Sequence, residues 1–429
     1  MIYFVAKNGN DSNIGSIESP WKTLSLAFNR LNPSDVLYIR GGEYMLDEAI
    51  VFSKSGTEGC PIVYSAFPGE KVVFNAIDLY FHNDRAKYPF GHETGALFAY
   101  LVSFITIRNI TVKNSHGHGI AIRDADNVII DGCTTENTFC CGISMWDTKS
   151  TRTICHHNKI TDCTVIKATT WDMLPVGLKR GNEPPHEAIS IAGGCYFEVC
   201  HNLVYDCDKE GIDVKEVSHH GQVHHNHVHH VDRQGLYADA WFGPLTDVDF
   251  YENHVHDCRG AGAVISVEQG ENVSNVKIYN NNIHHCYGSG ILFGIWGANN
   301  PRFNLEIFDN VVYHNGYGHI GSKIPENNEE FYWITGGISL LSANAKDVKI
   351  HHNIVSDNCG FQIGYSSDYL KENDDINAVF AEKNIQIYEN LIQETQKLNY
   401  PVIQAGRLDK MYGYIGDKDK KTSSLLLRI

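Results

Sequence analysis

The residues best equipped for chemistry gather between Gly211 and Gly270. Three short strand-like runs there begin at small residues: Gly211-Ile-Asp-Val-Lys-Glu216, Gly235-Leu-Tyr-Ala-Asp-Ala240 and Ala263-Val-Ile-Ser-Val-Glu268. Written under one another, they set Lys215 over Asp239 and put Glu268 one residue to the side. Rungs of a stacked sheet lie about 4.8 Å apart, which predicts Asp239 and Glu268 carboxyls roughly 5–6 Å apart. Such a pair suits cleavage of a glycosidic bond with retention, one carboxylate as nucleophile and the other as acid/base; inverting pairs stand wider. An ammonium at Lys215 would keep Asp239 ionised. The apolar run Ala263–Val267 would favour a protonated, acid-competent Glu268.

Other side chains are expected to complete a substrate cleft. Asp213, Glu216, His186 and Glu187 fall on neighbouring repeats. Trp146, Tyr237, Trp241 and Trp296, with Trp171 and Trp333 further out, offer flat faces on which the C–H groups of a sugar ring stack. The same residues allow a second chemistry. Lys215 could abstract a proton beside a uronate carboxylate while Asp213, Glu216 and Glu187 hold Ca²⁺, which is a lyase site. Apart from that Ca²⁺, no cofactor and no metal is expected. The run His219-His220 and His224-His-Asn-His-Val-His-His230 has period-two imidazoles at His225, His227 and His229, a spacing able to bind a transition metal. Because comparable histidines recur at His254, His256, His284 and His285, the run reads as a repeated outward position rather than a metal centre.

The elements that must position these residues repeat. Asn-x-[Ile/Val] begins at Asn158, Asn202, Asn226, Asn253, Asn281, Asn310, Asn353 and Asn390, and the steps 202→226→253→281→310 are 24, 27, 28 and 29 residues. That is the period of one β-helix coil, shorter than helical repeats of roughly 34–45 residues. Runs of Val, Ile and Tyr between Gly and Asn predict strands. No coil buries its apolar face alone, so neighbours must stack. Asn is expected to take the left-handed corner conformation and to bond its amide along the axis. Five residues after the motif stand Cys163, Cys207, Cys258 and Cys286, or Val231, Asn315 and Asn358. A column that accepts Cys, Val and Asn is an interior stack, so these thiols are expected reduced and buried. The longer steps 158→202 and 310→353 mark insertions that would wall the binding face.

The predicted fold is therefore all-β, a single-stranded right-handed parallel β-helix of about ten coils with a short N-terminal helical cap. It is read as one domain over 1–429: cap region 1–45, coils 46–395 with insertions near 164–187 and 315–335, and a C-terminal segment 396–429. The helix is placed over Trp21–Leu31, with Leu24, Ala27, Phe28 and Leu31 on one face. The opening resembles the N-terminal cap of right-handed parallel β-helix proteins of the pectate-lyase-like kind. Gly235-Leu-Tyr-Ala-Asp-Ala-Trp241 and Ser266-Val-Glu-Gln-Gly270 resemble glycoside hydrolase family 120, the β-helix β-xylosidases. That resemblance implies Asp239 as nucleophile and Glu268 as acid/base, and it departs from the family pattern where Ala240 precedes Trp241.

Composition bounds the partners. The formal net charge of −16 argues against nucleic-acid backbone. No apolar run of about 18 residues predicts a membrane span, and the opening Met1-Ile-Tyr-Phe-Val-Ala-Lys7 is not ordered as a signal peptide. The expected partner is an oligosaccharide, the expected location the cytoplasm. Nothing in the composition requires or excludes a homo-oligomer.

Overall fold

The computed structural model describes residues 1–81, 84, 86–147, 155–174, 186–294, 300–316, 336–359, 361–366, 369, 375–393 and 411–414. The chain divides into two compact units, Met1–Lys209 and Glu210–Ile429. Each unit is a right-handed parallel β-helix whose coils contribute one strand to each of three sheets. In unit 2 the first sheet runs from His219–His224 to Ile385–Tyr388. The second runs from His227–Val231 to Leu391–Gln393, and the third from Ile212–Val214 to Ile363–Ser366. Its described pairings are parallel, except that Met411–Tyr414 closes the third sheet antiparallel. In unit 1 the third sheet comprises Ile50–Phe52, Gly95–Tyr100, His118–Arg123, Ile143–Trp146 and Ile189–Ala192. The second sheet has six described strands per unit, twelve in all, against the ten coils expected. The first five of these strands, through Thr164–Ile166, are entered without the Asn motif, because Asn158 precedes the first-sheet strand Lys159–Thr161 rather than a second-sheet one.

Alternation along each strand builds the interior. In the coil that begins at His219, Val223, Val228, Val231, Leu236, Ala238 and Ala240 are buried inside. In unit 2 the corner before each second-sheet strand is held by amides. Asn226 Nδ2 donates to Asn253 Oδ1 at 3.0 Å, Asn253 to Asn281 at 2.9 Å, Asn281 to Asn310 at 3.0 Å, Asn310 to Asn353 at 2.9 Å and Asn353 to Asn390 at 2.9 Å. Each of these oxygens also accepts the backbone N–H of the preceding Asn. The expected left-handed conformation belongs to the residue before the Asn instead. His225, Glu252, Asn280, Asp309, His352 and Glu389 have φ of 53° to 55°. The motif Asn is selected for bonding, not for its backbone angle.

Several expectations shift at the boundaries. The cap helix is five residues, Leu24–Phe28, because Trp21 is drawn into a bridge with Val5 and stacks on Tyr3. Leu24, Ala27, Phe28 and Leu31 are all buried as expected. The first insertion starts later than 164, since Thr164–Ile166 is a strand paired with Thr134–Glu136. Residues 175–185, 317–335 and nearly all of 396–429 lie outside the described residues. None of the twelve cysteines is in a disulfide. Cys163, Cys207, Cys258 and Cys286 are buried. Among the described residues no helix is long and apolar enough to cross a membrane.

Candidate active site

In unit 2 the third sheet carries the acidic column. Strand Leu236–Ala240 lies between Ile212–Val214 and Ala263–Val267. Leu236, Ala238 and Ala240 face the coil interior, which sends Tyr237 and Asp239 to the opposite side. That side is not open surface: Tyr237 is 4% and Asp239 3% exposed. Tyr237 belongs there to a buried apolar cluster that includes Ala261, Val264, Leu292, Leu341 and Phe361. Asp213 and Lys215 are buried on the same side, and Glu216 and Glu268 are half-buried.

The register corrects one expectation. Leu236 pairs with Ala263, and Asp239 with Ser266. The corner residue is thus Gly262, not Ala263. A Cβ at Gly262 would lie 2.2 Å from Ile283 Cγ2, so only glycine fits. The sequence Ala261-Gly262-Ala263 offers three small residues and hides this choice. Glu268 N–H donates to Ala240 O at 3.1 Å and Gln269 N–H to Trp241 O at 2.9 Å, which sets Glu268 opposite Trp241. It is one coil and two residues from Asp239, on the same side. Strand geometry then puts the two Cα atoms roughly 8 Å apart, where the one-residue offset read from the sequence would put them about 6 Å apart.

Three interactions define the column. The Tyr237 hydroxyl donates to Glu268 Oε1 at 3.1 Å. Burial, then the charges of Asp239, Glu268 and Asp213, push that phenol well above its ordinary value, so it acts as a donor. Lys215 Nζ stands 3.8 Å from Asp213 Oδ2 and 4.7 Å from the centre of the Trp241 ring. The Trp241 ring also stacks on Phe242 at 4.3 Å. Phe242, 61% exposed, is an aromatic face the sequence reading passed over. Its signal was the adjacent Trp-Phe pair just past the acidic strand.

In unit 1 the third sheet assembles a second polar group. Arg123, Trp146 and Ala192 occupy one row. Trp146 Nε1 donates to Ser190 Oγ at 3.2 Å, and Ser190 donates to Glu187 Oε2 at 2.8 Å. The Trp146 ring meets His186 edge-on at 4.6 Å and His118 at 4.9 Å. Arg123 donates to Glu93 Oε2 at 3.1 Å and lies over Phe90 at 4.0 Å. His186 Nε2 is 3.8 Å from Glu93 Oε1. Burial alone would raise the Glu93 carboxyl, but the bond to His186 and the charges of Arg123 and His186 hold it down to about 2. His118 is wholly buried, and burial first, then His186, keeps its imidazole neutral. The structure thus joins Trp146, His186 and Glu187. It adds Glu93, which precedes its strand, and His118, which opens its own, positions where the repeat pattern gave no signal. Trp171 packs on Phe139 and Met173 rather than facing outward. Trp296 and Trp333 lie outside the described residues.

Residues 3–173 match the family model described as Pel9A-like, right handed beta helix region. Residues 95–272 match the one described as right handed beta helix region. These matches and the coil geometry agree on the class: a right-handed parallel β-helix. Pectate lyase PEL9 of Emericella nidulans is 27% identical over 149 residues, covering 33% of this chain and 35% of that protein. Pectate lyase L of Dickeya dadantii is 35% identical over 80 residues, 17% of this chain and 19% of that protein. The chain thus spans about a third and a fifth of the lengths of these relatives. In fold it is similar to XylC solved with xylose, at a TM-score of 0.52 and 12% identity over 96% of this chain and 89% of that one. It is also similar to the lacto-N-biosidase of Eubacterium ramulus, at a TM-score of 0.50 and 12% identity over 92% and 68%.

Proposed function

We propose that this protein is a carbohydrate-active enzyme that cleaves glycosidic bonds of short oligosaccharides at the third sheet of unit 2. One observation carries the reading: Asp239 and Glu268 face the same side on adjacent coils, with the Tyr237 phenol donating 3.1 Å to Glu268. Asp239 is the nucleophile and Glu268 the acid/base, as the resemblance to the β-helix β-xylosidases implies. Tyr237 positions Glu268 and supports its charged form, which is needed when it takes a proton from water. Lys215, 3.8 Å from Asp213, supplies positive charge on the coil next to that of Asp239. Phe242 offers a sugar ring its exposed face. The names of neighbours in fold and sequence, XylC with xylose and the pectate lyases, support a glycan substrate.

A second reading has its own observation. Lys215 is nearly buried against Trp241, an environment in which an amine can become a base, and the curated relatives named above are pectate lyases. Its weakness is Asp213. The Lys215 ammonium at 3.8 Å competes with Ca²⁺ for that carboxylate.

Aryl glycosides decide between the two. Asp239→Ala should abolish turnover of every substrate, because the covalent step is gone. Glu268→Ala should spare substrates whose leaving groups need no proton, and azide should restore part of its rate. Both results should be insensitive to chelator. Activity that dies with Lys215→Ala and with chelator, yields an ultraviolet-absorbing unsaturated product and survives Asp239→Ala, would establish the lyase instead.

A further inference from the structure

The second sheet of unit 2 carries a face of imidazoles with a geometry of its own. Strands His227–Val231, His254–His256 and Asn282–His284 pair in parallel. The pairing sets His227 beside His254, and His256 beside both His229 and His284. Val228, Val255 and Ile283 fill the interior, so alternation turns the imidazoles to the outer face. Rings stack along the rows, His227 on His254 at 4.7 Å and His256 on His284 at 5.0 Å. The nitrogens meet across them. His227 Nε2 and His256 Nε2 are 2.8 Å apart, as are His254 Nε2 and His284 Nε2. His225 does not join this face: it turns the corner at φ 53° and pairs with Glu252 at 2.9 Å.

A carboxylate orients the group. His256 Nδ1 lies 2.6 Å from Asp257 Oδ2. With its Nδ1–H donated there, His256 turns a lone pair on Nε2 toward His227. This carboxylate-to-imidazole arrangement is what fixes tautomer and ring angle in metal-binding histidines.

We propose that His227, His254 and His256 bind a divalent transition cation of the Zn²⁺ or Ni²⁺ class. One nitrogen from each already lies within 4.8 Å of the other two. A tetrahedral ion with bonds of about 2.05 Å holds its nitrogens roughly 3.3 Å apart. The 2.8 Å pair of His227 and His256 opens by about half an ångström to accept it. The ion takes the place of the proton between these two rings, and His227 carries its proton on Nδ1 instead, so both imidazoles bind as neutral ligands. Three imidazoles without a carboxylate ligand select this class of ion over Ca²⁺ or Mg²⁺. The site lies on the second sheet, whereas Asp239 and Glu268 lie on the third, so it is independent of the proposed bond cleavage.

The test uses the full chain without a histidine tag. Zn²⁺ is titrated in competition with a chromophoric chelator, and Co²⁺ is followed by its visible absorption. The wild type should hold one ion at this site, with the band intensity of tetrahedral nitrogen ligation. His254→Asn and His227→Asn should each weaken binding at least about a hundredfold, since even outer-shell losses cost about 10–100-fold. His220→Asn, at an exposed pair on the first sheet, should leave it unchanged. Binding by His254→Asn within threefold of wild type, or an equal loss in His220→Asn, would overturn the proposal. Should the variants not fold, carbethoxylation of the wild type decides. Zn²⁺ should protect His227, His254 and His256 from the reagent, and equal modification with and without Zn²⁺ overturns the site.

Discussion

Replacing Asn253 by Ala should cost about 4 kcal/mol of stability. Its Oδ1 accepts from Asn226 N at 3.0 Å and from Asn226 Nδ2 at 3.0 Å. Its Nδ2 donates to Val223 O at 2.9 Å and to Asn281 Oδ1 at 2.9 Å. Each intramolecular bond is worth about 1 kcal/mol net, and more where the abandoned partner is buried. Asn226, Asn253 and Asn281 are all about 1% exposed, so water does not replace the lost amide. A total of about 4 kcal/mol is a large share of the 5–15 kcal/mol that holds a typical domain folded. The effect should reach the site, because Asn226 and Asn253 open the second-sheet strands of the two coils that carry Asp239 and Glu268. Urea unfolding and amide hydrogen exchange measure it. At about 1.4 kcal/mol per decade, protection of the Asn226 amide should fall roughly a thousandfold. Gln222→Ala, on the exposed side of the first sheet, serves as the control and should stay within about 0.5 kcal/mol. A loss under about 1 kcal/mol for Asn253→Ala, or unchanged exchange at Asn226, would show that the amide row is not what fixes these corners.

Two further outcomes follow from the geometry. Gly262→Ala should destabilise by about 1–3 kcal/mol through overpacking, because its Cβ would meet Ile283 Cγ2 at 2.2 Å and Gly290 O at 2.7 Å; an unchanged melting temperature contradicts this. The Glu93 carboxyl is depressed from 4.5 to about 2 in the folded state, so its contribution is present above pH 4.5 and lost as pH falls toward 2. Glu93→Gln should therefore be less stable than wild type at pH 6 and converge with it near pH 2, and urea melts at the two pH values check the sign.

The fold was legible because its period is written in side chains that touch their copies. Asn226, Asn253, Asn281 and Asn310 bond one another directly, so their spacing in sequence is the length of a coil. Cys258 and Cys286 marked an interior column for the same reason. The register of the acidic strand was less legible. Ala261, Gly262 and Ala263 are alike in size, and only the approach of Ile283 singles out the glycine. The covered outer face was also hidden. Period-two alternation sends Tyr237 and Asp239 outward but does not reveal that Tyr237 joins a buried apolar cluster whose members Leu341 and Phe361 stand over 100 residues later in the chain. Glu93 and His118 escaped because Glu93 precedes its strand and His118 is the first residue of its own, positions where the repeat does not constrain residue type.

The amide row in unit 2 has a direction. From Asn226 to Asn353 each Nδ2 donates to the next Asn toward the C-terminus, and from Asn253 to Asn390 each Oδ1 accepts from the one before. The dipoles therefore add head to tail, as peptide dipoles do in an α-helix, and each bond polarises the next. Reversing one amide would set two donors face to face on one side and two acceptors on the other. The row must consequently keep or lose its polarity as a whole, and a misfolded coil cannot be accommodated by a local flip. It also dictates how such a chain can lengthen. A duplicated segment is accepted only if it spans a whole coil and inserts its Asn in phase, whereas extra residues placed between the third sheet and the next first-sheet strand leave the row untouched.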